Sequence, residues 1–301
     1  MCLLDLLEKP LFNITYKQER GPTVPPFNDY AQRILREFHT LIDSEPLESK
    51  VQEFLERHPS MVPGAWTPGT RSGHGPLYNA LIAQPKLPGF DARVPDFLWL
   101  SKHSSSLFAA MIEIEKPSKT LFTSAPVPTA EYTQAYNQFA QWRIWFDIPS
   151  NKQLFFDHYG ITAKQLFSLG FDLHLLLVFG RRSEFVNAPP LSKLRGKLVN
   201  GPDEELLSFD RLSPDPFLAS AVTVTPSGGG RFRVKYVPET FCVSPLNASD
   251  LLVLDGLTEA IDANASISSD RRDFLKKRVA YWCVWARGAG DMRCISGAFD
   301  E

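Results

Sequence analysis

With 301 residues, of which 44% are hydrophobic, 22% charged and 12% aromatic, the chain can bury its own core and lacks the composition of a disordered segment. A formal net charge of −2 excludes an overall field that attracts polyanions, so any nucleic-acid contact has to come from local cationic patches. Cys2, Cys242, Cys283 and Cys294 form no CxxC pair. No apolar run approaches the roughly 20 residues of a membrane span, and Asp5, Glu8 and Lys9 interrupt the apolar start; a soluble cytoplasmic chain without membrane contact is expected.

In chain order, Asp29 to about Ile42 reads as an amphipathic helix. A second helix starts near Pro46, carries Val51, Phe54 and Leu55 as its apolar stripe, and ends at His58-Pro59. The Gly- and Pro-rich stretch from Pro63 to Gly89 is expected to be a long irregular loop. Val94 to Leu100 and Leu107 to about Glu115 read as two strands joined by a serine-rich connection, hence an antiparallel hairpin, and Lys116-Pro117 ends the second. A helix from about Thr129 to Phe146 places Ala135, Phe139, Trp142 and Phe146 on one face. Asp172 to Phe179, between Gly170 and Gly180, suits a buried strand.

Beyond residue 187 the pattern is weaker. It predicts loops to about 220, strands at Ala221 to Thr225 and Arg231 to Val237, and helices near Ser249 to Asn264 and from Ser269 to Trp285. This order predicts an α/β (α+β) fold, a mixed sheet flanked by helices. The division expected is 1–43 as an N-terminal helical or irregular segment, 44–186 as the functional core, and 187–301 as its extension or a small accessory or oligomerisation region.

The hairpin carries the chemistry. Alternation puts Asp96 on the same face as Leu98, and Glu113 with Glu115, and folding about the serines brings Asp96 roughly opposite Glu113. Three carboxylates on one face repel each other, and a divalent cation such as Mg²⁺ or Mn²⁺ would relieve that cost; exposed acids on the face of an edge hairpin are the plainer alternative. Glu48 and Gln52 on the second helix, and Gln138 on the helix after the hairpin, sit at the margins of their apolar stripes, where a side chain reaches toward the sheet. Basic clusters at Arg181-Arg182, at Lys193, Arg195 and Lys197, at Arg231, Arg233 and Lys235, and from Arg271 to Arg278 are candidates for phosphate contacts; solvated surface charge is the alternative for each. The tryptophan-rich stretches Trp142 to Trp145 and Tyr281 to Trp285 read as core more readily than as an interface.

Four blocks together resemble the Shedu anti-phage nuclease domain, the DUF4263 family of the PD-(D/E)XK superfamily. They are Glu48-Ser-Lys-Val-Gln52-Glu-Phe-Leu-Glu-Arg-His-Pro59, Val94-Pro95-Asp96-Phe97-Leu98, Ile112-Glu113-Ile114-Glu115-Lys116-Pro117-Ser118 and Ala135-Tyr-Asn-Gln138-Phe. The resemblance runs from residue 44 to about 182 and takes in Val178-Phe179-Gly180-Arg181. It implies a restriction-endonuclease-like core, Mg²⁺- or Mn²⁺-dependent cleavage of DNA, expected to be double-stranded, a role in bacterial defence, and a homo-oligomer.

Residue by residue, the resemblance places metal-binding acids at Asp96 and Glu113, a helical acid at Glu48 and a helical glutamine at Gln138. One position departs from the superfamily pattern: Glu115 stands where lysine is usual, with Lys116 displaced by one. The expected catalytic set is therefore Asp96, Glu113, Glu115, Lys116, Glu48 and Gln138. Asp96, Glu113 and Glu48 would hold the metal, and Arg181, Arg182, Arg231, Arg233, Lys235 and Gln52 the nucleic acid. A catalytically silent binding or sensing module on the same fold, or an RNA nuclease, is the alternative.

Overall fold

The computed structural model describes residues 16–17, 19–66, 74–89, 94–102, 105–162, 170–186, 188–198, 201–245 and 247–288. Helix α1 (Phe27–Asp43) buries Tyr30, Ile34, Phe38 and Ile42, an i, i+4 stripe that runs its whole length. Helix α2 (Glu48–Arg57) starts two residues after Pro46 and ends where expected, at His58.

The sheet is assembled from β1 (His74–Pro76), β2 (Ala80–Ala83), β3 (Phe97–Lys102), β4 (Ser106–Ile114), β5 (Gly170–Val178), β6 (Glu204–Leu207), β7 (Val222–Gly228), β8 (Arg231–Tyr236) and β9 (Leu254–Asp255). Their order is β6-β5-β4-β3-β2-β7-β8-β9, with β1 joined to β3. The expected hairpin is present: β3 and β4 pair antiparallel from Phe97 opposite Ile112 to Lys102 opposite Leu107. Strands β4, β5 and β6 then run parallel, with Ile114 opposite Val178 and Val178 opposite Leu207, so their C-terminal ends share one edge of the sheet with the start of β3.

Both faces are covered, giving the mixed α/β sandwich expected from the sequence. Leu98, Leu100, Ala109 and Met111 pack toward α3 (Ala130–Asp147), α4 (Pro149–His158), α6 (Leu257–Ala263) and α7 (Ser269–Gly288). Phe97, Trp99, Ala110, Ile112 and Ile114 pack toward α1 and α2. Such strict alternation means that slipping β4 by one residue would exchange the two cores, and this pins its register. Trp142 and Trp282 are fully buried, as their core reading requires.

Three stretches differ from expectation. The region from Pro63 to Gly89 contains β1 and the central strand β2 rather than an uninterrupted loop. Strand β2 has only four residues, is buried on both faces and so shows no alternation, and is bracketed by Tyr78, Asn79 and Gln84 at positive φ. The expected helix at Ser249 to Asn264 is a 3₁₀ turn, β9 and α6, divided at Gly256, whose φ is 76°. The region 187–220 contains α5 (Pro189–Arg195) and β6, a short edge strand that opens on two glutamates. Helix α4 was also unsignalled between Asp147 and Asp172. Strand β3 begins at Phe97 rather than Val94, because Pro95 has no N–H for the ladder.

Candidate active site at the end of the central strands

Asp96 stands one residue before β3. Extending the register by one step sets it opposite Glu113, as the hairpin spacing predicted. Its Oδ2 accepts a hydrogen bond from the backbone N–H of Ile114 at 2.8 Å, which fixes the carboxylate at the strand end.

Glu113 shares the face of Met111 and points toward α3, where Gln138 Nε2 donates to its Oε1 at 2.7 Å. Thr129 caps that helix by accepting from the N–H of Tyr132, and Ala135, Phe139 and Trp142 seat it on the sheet, so Gln138 is delivered by a rigid element. The remaining oxygens, Glu113 Oε2 and Gln138 Oε1, are buried without a hydrogen-bond partner.

Glu115 continues the β4–β5 ladder by one bond, its N–H donating to Val178 O at 3.1 Å. The chain then turns through Lys116-Pro117-Ser118-Lys119, closed by the Lys119 N–H to Lys116 O bond at 3.1 Å, with Pro at the position where its fixed φ suits a turn. This turn folds the Lys119 ammonium back onto the Glu115 carboxylate. Lys119 is a residue of the candidate site that the strand pattern did not reveal. The signal was present in the Pro-Ser turn, which returns a lysine to the acid from four residues downstream.

Glu48 arrives from the opposite face of the sheet. As the first residue of α2 it reaches around the strand ends, hydrogen-bonds the Glu115 side chain, and lies near Lys119 and Lys116. Helices on both faces therefore contribute to one cluster on the sheet edge. The charges interact strongly. Burial, then Glu48, Glu115 and Glu56, raise the Asp96 carboxyl to about 7 against the lowering effect of the Ile114 N–H. Burial and Asp96 raise Glu113 to about 9, opposed by Gln138. Glu48 is raised chiefly by burial and by Glu115.

Among the described residues, no three carboxylate, imidazole or thiol side chains converge closely enough to enclose a metal ion. The acids thus form a coupled cluster rather than a closed ligand shell. Their chemistry nevertheless fits a hard divalent cation: all donors are oxygens, the acids repel one another, and one buried carboxylate oxygen lacks a partner.

Gly180 holds the lysine turn in place. Its φ is 64°, and a Cβ there would lie 2.8 Å from Lys119 O. Gly180→Ala is expected to cost about 1–2 kcal/mol of stability from the left-handed backbone alone. Urea unfolding midpoints check this; an unchanged midpoint would mean that the turn shifts without cost.

The remaining predicted residues lie elsewhere or are engaged. Gln52 Nε2 donates to Glu56 Oε1 at 3.5 Å, and Glu56 pairs with Lys235 at 2.7 Å. Arg181 ties Asp210, Asp43 and the carbonyl of Ile42 together. Arg231, Arg233 and Lys235 alternate outward from β8 as expected, but Arg231 is paired with Asp255 and Lys235 with Glu56. Arg182 is exposed at the end of β5. The basic run of α7 is not one surface patch: Arg271 and Arg278 are buried and donate to backbone carbonyls. Among the described residues no helix is long and apolar enough to cross a membrane.

The family model described as Shedu protein SduA, C-terminal, matches residues 45–213, from just before α2 through β6 and the acidic cluster. A search of curated proteins returns no match.

Proposed function

Because the chain belongs to the Shedu SduA C-terminal family, we propose that it is a metal-dependent DNA endonuclease acting in defence against phage, with its active site at Asp96, Glu113, Glu115, Glu48 and Lys119. The observation that carries this reading is the gathering of four acids at one sheet edge, three of which, Glu48, Asp96 and Glu113, are raised by burial and by their acidic neighbours, one of them with an unpartnered buried oxygen. An acid cluster of this kind serves stability poorly and suits cation binding well.

Asp96 and Glu113 would hold Mg²⁺ or Mn²⁺, with Glu48 alongside. When bound, the ion supplies Lewis-acid polarisation of a phosphate oxygen and lowers the pKa of a water. The Ile114 N–H and Gln138 Nε2 keep Asp96 and Glu113 in place, so the carboxylates need little reorganisation. Glu115 Oε2, ion-paired to Lys119, is placed to accept a proton from the attacking water, and the ammonium to steady the charge that develops. The Glu115–Lys119 pair thereby supplies the cation that the superfamily pattern puts at position 115. Lys116 lies at the margin of the cluster, where it acts on Glu48.

Assembly into a homo-oligomer and a cytoplasmic location belong to the same proposal. The test is incubation of the purified protein with supercoiled and linear duplex DNA plus Mg²⁺ or Mn²⁺, with a chelator control. Nicking or linearisation that disappears in chelator is expected. Duplex binding that persists in chelator without cutting in any metal would replace the reading with a silent binding or sensing module. The open arrangement of the acids is the observation that favours that second reading. Cutting of RNA alone would move the substrate assignment.

A further inference from the structure

A cavity of about 670 Å³ opens beyond the ends of β5 and β6, lined by Arg182, Phe185, Val186, Ser192, Arg195, Ser208 and Arg211. The residues come from three places. Arg182 and Phe185 follow β5, Ser208 and Arg211 follow β6, and Ser192 and Arg195 belong to α5. Parallel strands β4, β5 and β6 end together, so the segments that line the cavity leave the same edge of the sheet that carries Glu113. Ligands of α/β sheets bind outside the carboxyl ends of the parallel strands, as this cavity is placed to do.

Among the described residues, Arg182, Arg195 and Arg211 make no ion pair with an acid. Asp210 accepts from Arg181 and from the backbone N–H of Arg182, so it is used outside the cavity. Glu184 uses its two oxygens to accept from the N–H groups of Leu121 and Phe122 at 3.0 and 2.9 Å, while its charge still acts on Arg195. Glu205 senses Arg211 but is hydrogen-bonded first to His174. Arg195 is held by Leu206 O at 3.0 Å and lies over the Phe185 ring at 5.6 Å. Burial and the like charge of Arg211 push its guanidinium below the usual range, against the raising effect of Glu184. Like charges gathered around a cavity are relieved by an anion, and arginine forks with hydroxyl donors match the oxygens of a phosphate. The volume is within the ~300–1,000 Å³ of small-ligand sites and exceeds what a bare phosphate fills.

We propose that this cavity binds the phosphate of a nucleotide unit. Arg182, Arg195 and Arg211 act as its cationic contacts, Ser192 and Ser208 as hydroxyl donors, and the Phe185 ring as the wall beside the sugar or base. That the ligand is a nucleotide rests on the nuclease reading; the anion site itself does not.

Two sources share this chemistry, a strand of DNA running across the sheet edge and a free nucleotide. Binding is measured on the full chain carrying Asp96→Asn, in chelator, so that cutting plays no part. The probes are a fluorescein-labelled duplex, a labelled nucleoside monophosphate and inorganic phosphate as competitor. Arg211→Glu and Arg182→Glu alter exposed side chains, and their melting curves are compared with the parent's. Arg36→Glu on α1 makes the same charge change on an exposed face away from the cavity.

At least a tenfold loss of duplex affinity in Arg211→Glu and Arg182→Glu is expected if the ligand is strand phosphate, with the salt slope reduced by about 1 for each phosphate that the variant no longer neutralises. Loss of nucleoside monophosphate binding in the same variants identifies a free nucleotide. Unchanged binding of duplex and nucleotide in both variants overturns the proposal, and so does an equal loss in Arg36→Glu, which marks a bulk charge effect. Cutting is silenced throughout, so a failure of the acidic site and a failure of this cavity produce different results.

Discussion

Asp96→Asn and Glu113→Gln are each expected to lower the rate of duplex cleavage by about 10²–10⁴-fold while leaving the protein folded. A metal-held carboxylate contributes several kcal/mol of transition-state charge stabilisation, and each 1.36 kcal/mol is a factor of ten in rate. The two substitutions keep side-chain shape and remove only the ionisable group, so a loss reports on cation holding rather than packing. Asp96→Asn keeps an oxygen that can accept from the Ile114 N–H, and Glu113→Gln keeps one that can accept from Gln138. Lys119→Ala is expected to fall almost as far as these, and Lys116→Ala much less, because Lys119 is the lysine that contacts Glu115. Single-turnover nicking rates with saturating Mn²⁺ check all four. Undiminished cutting by Asp96→Asn and Glu113→Gln would sink the site assignment; a larger loss in Lys116→Ala than in Lys119→Ala would sink the role given to the turn.

The candidate site was legible where local periodicity specifies geometry. Alternation through Asp96-Phe97-Leu98 and Glu113-Ile114-Glu115 needs only an antiparallel hairpin to place the acids together, and the polar margins of α2 and α3 needed only helical spacing to bring Glu48 and Gln138 near them. Lys119 was not legible in that way, because its position depends on a turn whose direction is set by Pro117 and by the close approach of Gly180. The arginine cavity depends on three segments meeting at the ends of β5, β6 and α5. Long-range assembly of this kind leaves no periodic trace, and β6 is too short and too acidic to announce itself as a strand. Charge clustering in sequence misled in the opposite direction. Arg271 and Arg278, adjacent to exposed basic residues in α7, are interior groups satisfied by carbonyls, and Arg231 and Lys235 meet acids contributed by β9 and α2.

The same acids should leave a signature in the stability of the metal-free protein. A carboxyl whose folded pKa is raised holds its proton after the unfolded chain has lost it, so the folded state binds more protons across that interval, and stability falls as pH rises through it. For Asp96 the interval runs from the ordinary carboxylate range, roughly 4, to about 7, and for Glu113 to about 9, above which the loss is complete. In chelator the melting temperature is therefore expected to fall between pH 5 and pH 9. Glu113→Gln removes the group whose ionisation causes most of that fall, and should raise stability at pH 8 by an amount on the order of a few kcal/mol, seen as a melting temperature higher by about 5 °C or more. Mn²⁺ permits both carboxylates to ionise, so it should stabilise the parent most at pH 8, and it should do little for a protein carrying both Asp96→Asn and Glu113→Gln. Differential scanning fluorimetry across pH, with chelator or Mn²⁺, distinguishes these cases. A flat metal-free profile, or a Glu113→Gln protein less stable than the parent at pH 8, would show that the buried acids are already relieved by contacts within the chain, leaving no electrostatic cost for a cation to relieve.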